Sequence, residues 1–212
     1  MKRLNVWAVW LWFLQALTGS VLVLFVVIHI IDNATILISS QAYENALALW
    51  HETLPGLLYK LLVIGLVGAF LVHALNGIRI ASKPYKDVDA SWLHNRSLRH
   101  HGTTFWYLQV MTGSTIGMFA IWHLINQHGT VTTTTAAQSA ARVTPTVFIM
   151  YVLFLAALMF HAFNGVRSIL LKLGVMTDRA REAILVSIVA FLFVVFFGFG
   201  LASLVKFLPP TE

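Results

Sequence analysis

The chain has 212 residues, of which 58% are hydrophobic and 10% are charged. Soluble domains carry about a quarter charged residues, so a mean hydropathy of +0.80 points to a chain whose main solvent is lipid. It contains no cysteine, which excludes a disulfide framework, an iron–sulfur cluster on this chain and a haem attached through thioethers. The pI near 9.9 does not call for nucleic acid, because a chain mostly in lipid offers little surface to one; its basic residues read as topology signals.

Five apolar runs predict five transmembrane helices: about Trp7–Ile31, Leu54–Ala81, Thr104–Ile125, Thr144–Leu171 and Ala183–Phe207. Each reaches the roughly 20 residues that cross a bilayer core. The first is too long for a signal-peptide core and is read as a retained helix. The expected fold class is all-α, an integral membrane bundle forming a single membrane domain over residues 1–212, with the segments between runs read as loops.

Lys2, Arg3, Arg79, Lys83, Lys86, Arg96, Arg99, Arg167, Lys172, Arg179 and Arg181 flank one side of these spans; only Lys60, Arg142 and Lys206 flank the other. The excess of Lys and Arg marks the cytoplasmic side, which predicts a cytoplasmic N-terminus and a C-terminus outside. Trp7, Trp10, Trp12, Trp50, Trp92 and Trp106 fall near predicted span ends, where aromatic belts form.

The first span reads Thr18-Gly19-Ser20 and reaches His29; the third reads Thr112-Gly113-Ser114 and reaches His123. The second carries His73-Ala74-Leu75-Asn76-Gly77-Ile78-Arg79, and the fourth His161-Ala162-Phe163-Asn164-Gly165-Val166-Arg167. The chain is thus two related helix pairs followed by a single helix. That fifth span has no ionisable residue between Glu182 and Lys206, and its Gly198 and Gly200 are places where a neighbour would come close.

Histidine at membrane depth is costly and points to function. One alone reads equally well as a satisfied hydrogen bond to a neighbouring helix; four in two matched pairs do not. At about 1.5 Å per residue, His29 and His123 lie about 12–13 Å outside the midplane of their spans, and His73 and His161 about 5–8 Å inside it. Equal depth pairs His29 with His123 near the outer face and His73 with His161 near the inner face, the centres separated by roughly 17–21 Å. Two imidazoles from different helices at one depth suit bis-His ligation of a b-type haem, and filled axial positions suit electron transfer. Four histidines at two depths do not form one tetrahedral zinc site. Gly19, Gly77, Gly113 and Gly165 lie near the ligands; they either leave space for a porphyrin or only bring helices together.

These residues resemble the di-haem cytochrome b anchor of quinol:fumarate reductase and succinate:quinone oxidoreductase, in its five-helix single-anchor form. The resemblance runs from Gln15-Ala16-Leu17-Thr18-Gly19 to about Lys172-Leu173-Gly174, and is close over Leu98-Arg99-His100-His101-Gly102-Thr103-Thr104 and Gln109-Val110-Met111-Thr112-Gly113. It implies two haem b groups, a proximal one on His73 and His161 and a distal one on His29 and His123. By the same resemblance Gln15, Trp106 and Lys172 bind proximal propionates and Arg142 a distal one; Trp106 and Lys172 also read as ordinary interface anchors. Menaquinol would be oxidised, or menaquinone reduced, near the distal haem, with Glu52 as the proton acceptor and His51 a weaker candidate; the alternative for Glu52 is a solvated loop carboxylate.

The resemblance implies iron–sulfur and flavoprotein partner subunits on the cytoplasmic side, docked over the inner loops and His100–His101, and allows a dimer of such heterotrimers in a bacterial inner membrane. Some relatives carry a proton-passing glutamate two residues before the fourth ligand. Here that position is Met159, and no other acid lies within the five predicted runs. The alternatives are a di-haem quinone-reactive subunit of a hydrogenase or formate dehydrogenase, and, less compatible with a parallel repeat lacking acids in its spans, a proton-relaying transporter or a purely structural anchor.

Overall fold

A computed structural model describes residues 6–53, 56–82, 101–127, 135–175 and 178–208. Lys2, Arg3, Lys83, Lys86, Trp92, Arg96, Leu98, Arg99 and His100 lie outside the described residues, as do the side chains of His51, Glu52 and His101. Among the described residues the structure is all helical. In chain order the helices are α1 (Val6–Ala34), continued by a 3₁₀ turn (Thr35–Leu37), α2 (Ser40–Thr53), α3 (Gly56–Ser82), α4 (His101–Gln127), α5 (Ala136–Arg142), α6 (Pro145–Lys172) and α7 (Arg179–Lys206). Five of them, α1, α3, α4, α6 and α7, are long and apolar enough to cross a bilayer, and the protein is a multi-pass membrane protein.

The helices pack as two hairpins. α1 lies along α3, α4 lies along α6, and α7 packs against both α6 and α1. On α3, Leu57, Leu61, Ile64, Leu71, Leu75 and Ile78 are exposed at helical spacing, the pattern of a face in contact with lipid tails. On the other side of the bundle, Ile30 of α1 and Leu155 and Met159 of α6 are buried against Phe193, Phe196, Phe197 and Leu201 of α7. A Cβ on Gly200 would come within 2.9 Å of Leu155 Cδ2, so this glycine admits α6. Gly198 has nothing within 4 Å of such a Cβ and plays no part in the approach.

The α6–α7 turn is set locally. Gly174 has φ +69°, and Val175 N–H and Gly174 N–H donate to the Leu170 and Leu171 carbonyls at 3.1 and 3.2 Å, a Schellman motif with glycine where a left-handed residue is needed. Asp178 then caps α7 by accepting from Arg181 N–H at 2.9 Å, and Arg167 Nη2 meets Glu182 Oε1 at 2.9 Å across the turn.

Two segments expected as loops are helical. Residues 40–53 form α2, since the segment is rich in Ala, Leu and Glu, good helix formers, and the Ser39 hydroxyl accepts from Ala42 N–H at 3.0 Å at its start. Residues 136–142 form α5, closed by a capping box between Thr135 and Gln138. The two helices are joined: Glu44 Oε1 accepts from Ala136 N–H at 2.9 Å, and Tyr43 packs with Ile36, Val143 and Phe207. The Tyr43 hydroxyl, raised in pKa by burial, stays protonated beside Ser139 Oγ at 3.0 Å.

α1 also runs three residues beyond its expected end, because nothing between Ile31 and Ala34 breaks a helix. It therefore contains Asp32, an acid the sequence reading placed outside the span. α7 likewise begins at Arg179 and takes in Glu182.

Candidate functional site: two cross-paired histidine sites

Each of the four membrane-depth histidines meets its counterpart from the other hairpin. His29 of α1 and His123 of α4 have ring centroids 6.1 Å apart with planes at 75°. His73 of α3 and His161 of α6 have centroids 6.3 Å apart with planes at 77°. These are the partners that equal depth assigns. His29 lies ten residues beyond Gly19 and His123 ten beyond Gly113, the glycines that touch the inner rings, so about 15 Å of helix separates the two sites.

The rings of His73 and His161, the pair that the sequence reading puts on the inner side, are held by backbone and hydroxyl groups of the companion helix. A Cβ on Gly19 would come within 2.9 Å of His73 Cε1, and one on Gly113 within 2.9 Å of His161 Cε1. At these positions the glycines make room for imidazole edges. A Cβ on Gly77 or Gly165 would lie 3.6 or 3.7 Å from the Gln15 or Gln109 side-chain amide nitrogen, an ordinary contact. His161 Nδ1 lies 3.1 Å from the Gln109 carbonyl oxygen; a carbonyl only accepts, so Nδ1 carries the proton and Nε2 is the bare nitrogen. Gln15 Nε2 stands 3.2 Å from His73 Nε2, donating to it, which gives His73 the same tautomer.

Asn76 Nδ2 donates to the Leu11 carbonyl at 2.8 Å, and Asn164 Nδ2 to the Phe105 carbonyl at 3.2 Å and Gln109 Oε1 at 2.9 Å. Gln109 stands in the sequence only as part of the resembling segment, with no site role assigned to it. It precedes Thr112 by three residues, as Gln15 precedes Thr18, so extending the repeat one helical turn backwards would have found it.

The outer rings are held differently. Phe25 stacks on His29 at 5.5 Å, and Asn33, one turn on, places Nδ2 3.4 Å from His29 Nε2 while donating to the His29 carbonyl at 2.7 Å. His123 Nδ1 is 3.1 Å from the Tyr151 hydroxyl of α6. Nearby, Trp50 Nε1 of α2 donates to Asp32 Oδ2 at 2.9 Å, which ties α2 to the end of α1. Glu52 lies in the last turn of α2 and not in a loop.

The other expected contacts divide by end. Lys172 Nζ lies over the Trp12 ring at 5.6 Å, and Trp12 is one turn before Gln15. Trp106 is one turn before Gln109 and packs on Tyr107 at 4.9 Å. Arg142 ends α5, in the outer layer with Tyr43. Met159 is 4% exposed in the apolar cluster against α7.

Among the described residues no three His, Cys, Asp or Glu gather to hold a bare metal ion. The donor set at each site is two imidazoles. With metal–nitrogen bonds of about 2 Å, imidazoles on opposite sides of one ion have centroids about 6 Å apart, which both pairs match. Two donors leave the remaining positions of an iron to a ligand that brings its own nitrogens, and imidazole suits iron. The residues fit a haem.

Fold and site define a five-span helical membrane protein built as a duplicated hairpin with a paired-histidine site at each of two levels. The chain belongs to the succinate dehydrogenase/fumarate reductase transmembrane subunit family, whose model matches residues 3–82 and 89–199. It is 25% identical over 177 residues to the fumarate reductase cytochrome b subunit of Helicobacter pylori, covering 76% of this chain and 66% of that one. It is 37% identical over 71 residues to the succinate dehydrogenase 2 membrane subunit SdhC of Mycobacterium tuberculosis, covering 34% of this chain and 49% of that subunit. The chain thus spans just under two thirds of the first relative's length and about half of the second's.

Proposed function

We propose that this chain is the di-haem cytochrome b anchor of a fumarate reductase or succinate:menaquinone reductase, moving electrons between menaquinol near the outer face and an iron–sulfur subunit at the cytoplasmic face. One observation carries the reading: two cross-hairpin histidine pairs with centroids 6.1 and 6.3 Å apart, a spacing at which two imidazoles would share one haem iron. Family membership favours it over a hydrogenase or formate dehydrogenase subunit. Bound haem would supply reversible one-electron chemistry at each level.

His73 and His161 would hold the proximal haem, and His29 and His123 the distal one. Nδ1 protonation of the inner rings leaves the Nε2 lone pair to bind iron; at His73 the Gln15 amide, which donates to Nε2 in this structure, would turn away to a propionate. Lys172 lies one turn from Gln15, over Trp12, which supports propionate binding at the inner end, where the Gln15 amide N–H and the Trp106 indole would add donors; Arg142 at the end of α5 would serve the distal haem. A basic group there offsets buried carboxylate charge.

Oxidation of menaquinol releases two electrons and two protons. Glu52, in the last turn of α2 as the chain enters α3, would take a proton outside the membrane. With apolar Met159 on α6, any proton movement coupled to electron transfer would not use a carboxylate at that position. A flavoprotein subunit beyond the iron–sulfur subunit would carry the dicarboxylate chemistry, in a bacterial inner membrane with the N-terminus cytoplasmic.

The test is purification in mild detergent with subunit identification and haem quantitation. Two b haems per chain and co-purifying flavoprotein and iron–sulfur subunits are expected. A haem-free complex with full quinone activity would refute the reading.

A further inference from the structure

The two inner histidines share one hydrogen-bond chain. Thr18 Oγ1 lies 3.3 Å from His73 Nδ1 and donates its own proton to the Leu14 carbonyl at 2.7 Å. Thr112 Oγ1 lies 3.3 Å from His161 Nδ1 and donates to the Leu108 carbonyl at 2.6 Å. A hydroxyl that has spent its only proton on a carbonyl can meet the ring only as an acceptor. This again requires Nδ1–H on both rings, independently of the Gln109 carbonyl at His161 and the Gln15 amide at His73. Thr18 is 9% exposed, so the chain at His73 is shielded from competing solvent. The arrangement recurs at the same place in both hairpins, with the same two bond lengths to within 0.1 Å, in a chain whose two halves differ at most other positions.

We propose that Thr18 and Thr112 are positioning residues that fix the tautomer and orientation of the inner ligands and hold the inner haem at a lower potential than bare imidazoles would give it. The proposal rests on the haem reading above. The physical route is the chain Nδ1–H to threonine hydroxyl to main-chain carbonyl. Pulling on the Nδ1 proton makes the ring more basic at Nε2. A more basic ligand stabilises ferric over ferrous iron and so lowers the midpoint. The outer rings meet different groups: His29 meets Asn33 of its own helix, and His123 meets the Tyr151 phenol. Two haems of identical ligand type would therefore be tuned by different neighbours.

The Asp32–Trp50 bond ties α2 to α1, and the Tyr43 cluster seals α2 and α5 against the end of α7; each is accounted for by packing of the outer layer.

The test is an equilibrium redox titration of both haems in the purified complex, with wild type, Thr18→Val, Thr112→Val and Thr18→Ser. Valine keeps the threonine shape and removes the hydroxyl; serine keeps the hydroxyl. Each valine variant is expected to raise the midpoint of one haem alone. The change in its redox equilibrium should be about two- to tenfold, the worth of one hydrogen bond partly replaced by a backbone acceptor, or ~20–60 mV for one electron. The double variant should move the same haem further, and Thr18→Ser should stay near wild type. A role in packing alone would leave the potentials unchanged in the valine variants, whose shape is conserved.

Two haems per chain with unmoved potentials in both valine variants would overturn this proposal and leave the haem reading standing. Equal shifts of both haems would overturn it too. A wild-type chain that binds no haem would overturn the haem reading itself. If Thr18→Val fails to assemble, Thr112→Val reports on the same haem from the other hairpin.

Discussion

Gly19→Ala is the sharpest single test of how the inner site is built. The added Cβ would lie 2.9 Å from His73 Cε1 and 3.3 Å from Nδ1, and relief to ordinary contact needs a displacement of about 0.5 Å or more. The imidazole cannot retreat freely, because its ring faces His161 at 6.3 Å and a metal site tolerates about 0.2 Å in its ligand distances. The strain goes into tilting the ring or spreading α1 from α3, costing about 1–3 kcal/mol as overpacked core substitutions do. Taken from haem binding alone, that is about a 5- to 150-fold loss of affinity at the inner site.

The assay is haem per chain in the purified complex, read with the low-spin ferric spectrum of each haem. Gly68→Ala on α3 and Gly117→Ala on α4 are the controls, since a Cβ at either position meets nothing within 4 Å. Inner-haem loss or a disturbed inner spectrum in Gly19→Ala and Gly113→Ala, with both controls normal, is expected. Two intact haems with unchanged spectra and potentials in Gly19→Ala would refute the reasoning that this glycine exists for the imidazole.

Substituting any one of the four histidines by alanine should remove the haem of its own pair. Double replacement within a pair should cost little more than the single one, whereas one from each pair should abolish both, as haem content will show. Glu52→Gln should lower menaquinol oxidation by about 10²-fold or more with haem content unchanged. Asp32→Asn keeps an oxygen for Trp50 and should leave turnover near wild type; loss of turnover there and not in Glu52→Gln would move the proton acceptor to Asp32. Gly200→Ala should lower thermal stability by about 1–3 kcal/mol, because its Cβ would strike Leu155 at 2.9 Å, while Gly198→Ala should be neutral; equal melting of the two would contradict the packing of α7 on α6. Glu182→Gln should cost at most about 1 kcal/mol of stability, since its partner pair with Arg167 is 22% and 41% exposed.

Much of this protein is legible in one dimension because a bilayer imposes its dimensions on the chain. Crossing about 30 Å of hydrocarbon with every peptide group satisfied demands about 20 apolar residues in a helix, so the five spans could be counted directly. A helix in a membrane also has a known rise, so position along a span converts to depth, and depth alone pairs His29 with His123 and His73 with His161. What depth does not carry is azimuth. Which side of α1 faces α3 depends on side chains meeting across helices, and apolar residues on every face of a lipid-exposed helix hide the register.

Only the tertiary structure therefore decided that Gly19 and Gly113 seat imidazole rings, that Gln109 accepts from Asn164 of α6, and that α7 docks on α6 and α1 through Gly200 and not Gly198. The outer layer was illegible for a different reason: α2 and α5 are short amphipathic or capped segments whose helicity is settled by contacts with the bundle end, as Tyr43 against Phe207 and Glu44 on the first turn of α5 show. By itself the sequence determined a duplicated five-span helical membrane chain with histidines at two depths, since length and polarity in lipid leave few alternatives. The three-dimensional packing determined which groups touch those histidines, because close contact between helices depends on rotation about their axes, and that is set by the whole bundle at once.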